Sequence, residues 1–193
     1  MLQYTISPCE ALGALEQAQM AVDAGCQWID IDPDDIDPTE LGRIVEMCKS
    51  AGVILVYHHH DRLLDEHRVH GVLLANNDAE PVELREKLGG HPIIGIVYSV
   101  KFSASTARRA DADYLMLEDY PTLTTLSTIA EVRQALNEAN LSLPIVVGGI
   151  IEPDTIASLI EAGASGINID IRSLKGPDYM ASLAQFIAVC NNL

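Results

Sequence analysis

Basic residues are scarce in this chain: 12 Lys and Arg stand against 28 Asp and Glu, a formal net charge of −16. No block of basic residues occurs anywhere, so a nucleic-acid backbone would meet a repelling field and is excluded as a partner. A phosphorylated ligand would need a cation or a local nest of backbone N–H groups. Cysteine is also sparse, and Cys9, Cys26, Cys48 and Cys190 show no CxxC spacing. That excludes a disulfide framework or structural zinc site and points to buried, reduced thiols. No apolar run reaches the roughly 18 to 20 residues of a membrane span, so no membrane partner is expected. The opening "MLQYTISPCEALG" lacks the basic start and apolar run of a signal peptide, which makes a cytoplasmic location the expectation. With no linker or low-complexity tract, the 193 residues read as one domain, 1–193.

What is present is a regular alternation. Short apolar or β-branched runs recur at "LQYTI", "CQWIDI", "GVILVY", "HGVLLA", "PIIGIV", "ADYLML", "LPIVV" and "SGINI". Between them lie amphipathic stretches such as "PTELGRIVEMCKSAG" and "PDTIASLIEAGA"; several open at Pro, Asp or Thr and several end in Gly, the usual helix start and stop signals. Eight strand–helix units predict a compact (β/α)8 TIM barrel, with an open doubly wound sheet as the alternative. In a barrel the active site gathers at the C-terminal strand ends. Those ends carry Ser7, Asp30, Asp32, His58 to Asp61, Asp78, Glu118, Gly148-Gly149, Asp170 and Arg172.

Two strands have a polar face. In "WIDIDP" Ile29 and Ile31 share one side and Asp30 and Asp32 the other; in "GINIDIR" the isoleucines oppose Asn168, Asp170 and Arg172. With Thr5 and Ser7 on the strand between them, a buried polar patch along strands eight, one and two is expected. Unpaired buried carboxylates are costly, so Arg172 or a metal should pair with these acids. The patch reads equally as a structural ion-pair cluster or as a ligand site. The run "YHHHDR" ends strand three; adjacent side chains on an extended segment diverge, so at most two of its histidines can serve one rim. Asp61 capping a helix beside solvated histidines is the plain structural alternative.

The segment "LPIVVGGIIEPDTIASLIEAGASGINI" resembles the strand-seven-to-eight region of the thiamine phosphate synthase and TenI-like family. "HGVLLANND" is similar to that family's "DGVHLGQxD", "PIIGIVYS" to its "iIGvStH", and "LVYHHHDR" to its "lIiNDR". The resemblance covers nearly the whole chain. It implies a barrel enzyme of thiamine biosynthesis, a transferase or a thiazole tautomerase, that joins or isomerises phosphorylated thiazole and pyrimidine precursors. It also implies phosphate binding at Gly148-Gly149, where glycine lets the backbone approach a ligand, and magnesium on Asp78 with either Asp61 or, in a gapless alignment, His59.

Departures from the family are concentrated at its diphosphate contacts. Its "QLRxK" falls on Asp30, Asp32 and Asp34, and its "TxTK" on Thr122-Leu123-Thr124-Thr125. The expected serine falls on Ile171, the expected strand-four histidine on Leu73 and the tautomerase histidine on Ser99. Replacing two cations by acids repels a diphosphate at short range. The candidate catalytic set is His59, Asp61 and Asp78, with Asp61 and Asp78 as magnesium ligands. The candidate substrate and phosphate contacts are Gly148, Gly149, Asp30, Asp32 and Arg172. A metal-dependent barrel of other chemistry and a non-catalytic binding barrel remain as alternatives, and a homodimer is left open.

Overall fold

The computed structural model describes residues 1–58, 69–75, 85–86, 92–98, 111–118 and 124–193. Eight parallel strands close into a barrel in chain order: β1 (Leu2–Ile6), β2 (Trp28–Ile31), β3 (Ile54–His58), β4 (Gly71–Leu74), β5 (Ile93–Val97), β6 (Tyr114–Leu117), β7 (Ile145–Gly148) and β8 (Gly166–Asp170). Closure is carried by β1 and β8, with Tyr4 opposite Ile169 and Thr5 opposite Asp170. The described helices are α1 (Ala14–Asp23), α2 (Pro38–Ala51), α3 (Thr124–Glu138), α4 (Ile156–Glu161) and α5 (Tyr179–Asn191).

Local chemistry sets the helix limits. Asp37 caps α2 by accepting from the N–H groups of Thr39 (2.9 Å) and Glu40 (3.3 Å), with Pro38 in the first turn. Gly52 ends the same helix at φ 69°, a left-handed position that favours glycine. Asp178 caps α5 through the Ala181 N–H at 2.9 Å.

Alternation along the strands divides the core in two. Ile29, Ile31, Ile167 and Ile169 point outward and pack in the layer between sheet and helices. Trp28, Val56, Leu73, Tyr114, Met116 and Val146 point inward and fill the barrel. Trp28 and Tyr114 meet edge to face, ring centroids 5.6 Å apart. Tyr114 fits because Gly95, its partner in the β5–β6 register, has no side chain; a Cβ there would lie 2.2 Å from the Tyr114 Cζ. Cys26 and Cys48 are buried reduced thiols as expected, whereas Cys9 and Cys190 are half-buried; all four are free. No described helix is long and apolar enough to cross a membrane.

Candidate functional site at the C-terminal mouth

Two expectations need correcting before the site can be described. Asp32 lies past the end of β2, where Pro33 cannot extend the strand's hydrogen bonding. Its carboxylate caps a 3-10 turn, Pro33–Asp35, by accepting from the Asp34 N–H at 3.0 Å. Arg172 likewise does not share the inward face of β8. That strand stops at Asp170, and Arg172 sits in the following 3-10 turn, Ile171–Ser173, with its side chain 59% exposed.

The mouth itself is a cup of about 270 Å³ lined by Thr5, Ser7, His58, Met116, Glu118, Gly148, Gly149, Asn168, Asp170 and Arg172. Most come from a strand's C-terminal end or the residues just beyond it, with Asn168 midway along β8. Asp170 organises the β8 side. One carboxylate oxygen accepts the Arg172 N–H at 2.8 Å. The other accepts the Arg172 Nε at 2.7 Å, pairs with its terminal nitrogen at 2.7 Å and accepts the Ser7 hydroxyl at 3.3 Å. The pairing expected between Arg172 and an acid therefore forms with Asp170. On the β7 side Gly149 has φ 136°, outside the range of ordinary side chains. Ser173 ties this turn down, donating to the Gly149 carbonyl at 3.1 Å and accepting the Ile151 N–H at 3.2 Å.

Beneath the cup lies the polar patch. Asp30 has no exposed surface, so it forms part of the cup's foundation and not of its lining. It accepts the Trp28 indole N–H at 2.9 Å and faces the Asn168 amide at 2.5 Å. Asn168 in turn accepts the Thr5 hydroxyl at 2.8 Å and reaches the Gln3 amide at 3.3 Å. Burial pushes the Asp30 carboxyl up to about 7 and the charge of Glu118 adds to the rise, while the bonds from Trp28 and Asn168 oppose it. The buried Tyr114 phenol is also raised, first by burial and then by the charge of Asp30. No described residue partners the Tyr114 hydroxyl.

Several supporting residues were not singled out from the sequence. Gln3 and Trp28 share the inward faces of β1 and β2 with Thr5 and Asp30, and strict alternation would have found both. Gln17, a buried polar residue on the core face of α1, braces the loop after β1. Its side-chain N–H group donates to the carbonyls of Ser7 (2.7 Å) and Leu12 (3.0 Å), and its oxygen accepts from Tyr4 at 3.2 Å. His59, Asp61 and Asp78 lie outside the described residues. Among the described residues no group of three or more His, Cys, Asp or Glu side chains could hold a metal ion.

A family model, thiamine monophosphate synthase, matches residues 4–170. The chain belongs to the thiamine monophosphate synthase family. A thiamine-phosphate synthase of Bacteroides fragilis (strain YCH46) is 30% identical over 191 residues, covering 92% of this chain and 93% of that one. Another, from Nitrosococcus oceani, is 32% identical over 151 residues, covering 76% of this chain and 70% of its own length. Among solved structures, the thiamine phosphate pyrophosphorylase of Pyrococcus furiosus superposes with a TM-score of 0.76 over 99% of this chain and 95% of its own. At 17% identity, that likeness speaks for the fold alone. The barrel and the family expected from the sequence are both shown. Within the thiamine monophosphate synthase family this chain carries acids, Asp32 and Asp34, just past the end of β2, where its resemblance to the family placed cations.

Proposed function

We propose that this barrel acts in thiamine biosynthesis on a phosphorylated thiazole precursor bound in the cup at the strand ends. The observation that carries the reading is the juxtaposition, in a family member, of the Gly148-Gly149 turn with Arg172 and the Ser7 hydroxyl around one cavity. In this reading the phosphate rests against the turn after β7, where a Cβ would crowd it, and beside the Arg172 guanidinium. Among the described residues Arg172 is the one cation lining the cup, and Asp170 already pairs with it. That balance suits a single phosphate better than a diphosphate leaving group, so isomerisation of the thiazole phosphate is the favoured step. Such a step needs one acid–base pair, for which His59 and Asp61, following β3 in the sequence, are the candidates.

The second reading is the joining reaction. It is favoured by the name thiamine-phosphate synthase on relatives that align over more than nine-tenths of this chain. There, magnesium held by Asp61 and Asp78 would neutralise charge on the departing diphosphate.

One assay separates them. Purified protein is given the thiazole phosphate alone, then with the pyrimidine diphosphate and magnesium. Isomerisation unaffected by a chelator supports the first reading; thiamine phosphate formed only with magnesium supports the second; neither product refutes both. The phosphate subsite has its own check. Gly149→Val is expected to raise the Kd for the thiazole phosphate by about 50-fold, and to leave that of the unphosphorylated thiazole alcohol within about threefold. Calorimetric titration reads both, and equal losses for the two ligands would remove the phosphate from this turn.

A further inference from the structure

We propose that Asp30 is a positioning residue whose protonation state decides whether the floor of the cup offers its ligand a hydrogen-bond donor or an acceptor. The relay has three links. Asp30 faces the Asn168 amide, the other end of that amide faces the Thr5 hydroxyl, and Thr5 and Asn168 both line the cup. When Asp30 is charged it can only accept, so Asn168 turns its NH2 toward it and its oxygen toward Thr5. The Thr5 proton is then committed to Asn168, and the hydroxyl presents lone pairs to the cup. When Asp30 takes one proton from solvent, its new O–H donates to the Asn168 oxygen and the amide turns over. The Asn168 NH2 then donates to Thr5, whose own proton is released toward the ligand.

One feature of the geometry favours the protonated arrangement. The Gln3 side-chain NH2 is buried with no partner among the described residues. With Asn168 turned over, Gln3 can turn as well and use its NH2 against the Asn168 oxygen. The orphan then becomes a carbonyl, which tolerates burial better than an N–H group. Which end of an amide carries oxygen follows from the hydrogen-bond network, so both arrangements fit one set of atom positions. Among the described residues, the titratable groups facing Asp30 are Tyr114 on β6, Glu118 just past its end, and Cys26 ahead of β2. Burial keeps the phenol and the thiol neutral, so Glu118 is the charge that pushes Asp30 toward its neutral form.

The chain contains one tryptophan, and its indole N–H donates to Asp30 at 2.9 Å. The Trp28 indole 1H–15N resonance therefore reports Asp30 directly, with no ligand present. A single titration step near pH 7 is expected in the parent, kept in His58→Gln and lost in Asp30→Asn. A parent without the step, or a step that survives D30N, overturns the proposal. Should D30N not fold, the 13C carboxyl titration of aspartate-labelled parent decides the same point.

The consequence for binding rests on the joining reaction, the second reading above, and is tested separately with the aminopyrimidine alcohol, whose amino group is a donor. Its affinity is expected to rise about fivefold to tenfold from pH 6 to pH 8 beyond any change seen in Thr5→Val, where the ring's own titration is common to both proteins. Binding of neither thiamine precursor, with the Trp28 step intact, refutes the proposed function and keeps the relay. Binding without the step, or a pH response unchanged by T5V, overturns the relay.

Discussion

Asp30→Asn is expected to leave stability nearly unchanged at pH 4 and to raise it progressively, by up to about 4 kcal/mol, as pH climbs to 8. The carboxyl ordinarily titrates at 3.8, and burial lifts it to about 7 in the folded chain. Between those values the folded protein holds a proton that the unfolded chain has released. Stability from this group is therefore complete below 3.8 and is lost as pH rises through about 7, after which the loss is constant. An amide at position 30 does not titrate. It can still accept from Trp28 and donate to a turned-over Asn168, reproducing the hydrogen bonding of the neutral acid. Urea unfolding of both proteins at pH 4, 6 and 8 measures the difference, and titrating groups that do not interact with Asp30 cancel in the comparison. A difference independent of pH would show that Asp30 is charged throughout, like a surface carboxylate.

Gly95→Ala is expected to cost about 3 kcal/mol or more, because its methyl group would lie far inside van der Waals contact of a ring with nowhere to go. The added Cβ would sit 2.2 Å from the Tyr114 Cζ and 2.5 Å from both Cε1 and the hydroxyl oxygen. Trp28 packs against the same ring edge to face, 5.6 Å between centroids. The cost should fall sharply in a Tyr114→Ala background, where the new methyl group meets empty space. A coupling of about 2 kcal/mol or more between the two substitutions, read by a double-mutant cycle in urea, is the expected result. Additive effects would mean that Gly95 is required by its backbone and not by the ring opposite it.

These two residues show how far the sequence reaches. Alternation in "WIDIDP" and "GINIDIR" was enough to say that the isoleucines face the helices and that Asp30, Asn168 and Asp170 face inward, because a strand's side chains change sides at every residue. The strand count, the Pro38 start and the Gly52 stop were legible for equally local reasons. Period two gives a face but not a height. Whether an inward residue lies at the mouth or beneath it depends on the stagger between neighbouring strands around the closed barrel, which no single strand encodes. For this reason Asp30, read from the sequence as a ligand contact, sits one layer below the cup, while beyond their strand ends Asp32 caps a 3-10 turn and Arg172 lies within one.

Partner choice was equally out of reach. Arg172 was expected to satisfy the buried acids and does so for Asp170, two residues away, a pairing that local spacing already allows. Asp30 takes its partners from Trp28 on its own strand and from Asn168, 138 positions along the chain. The sequence by itself determined the barrel, the family and the sidedness of each strand. Only the tertiary structure decided that an acid on β2 would be enclosed with an amide on β8, because closing the sheet is what removes both from water and leaves each the other's nearest polar partner.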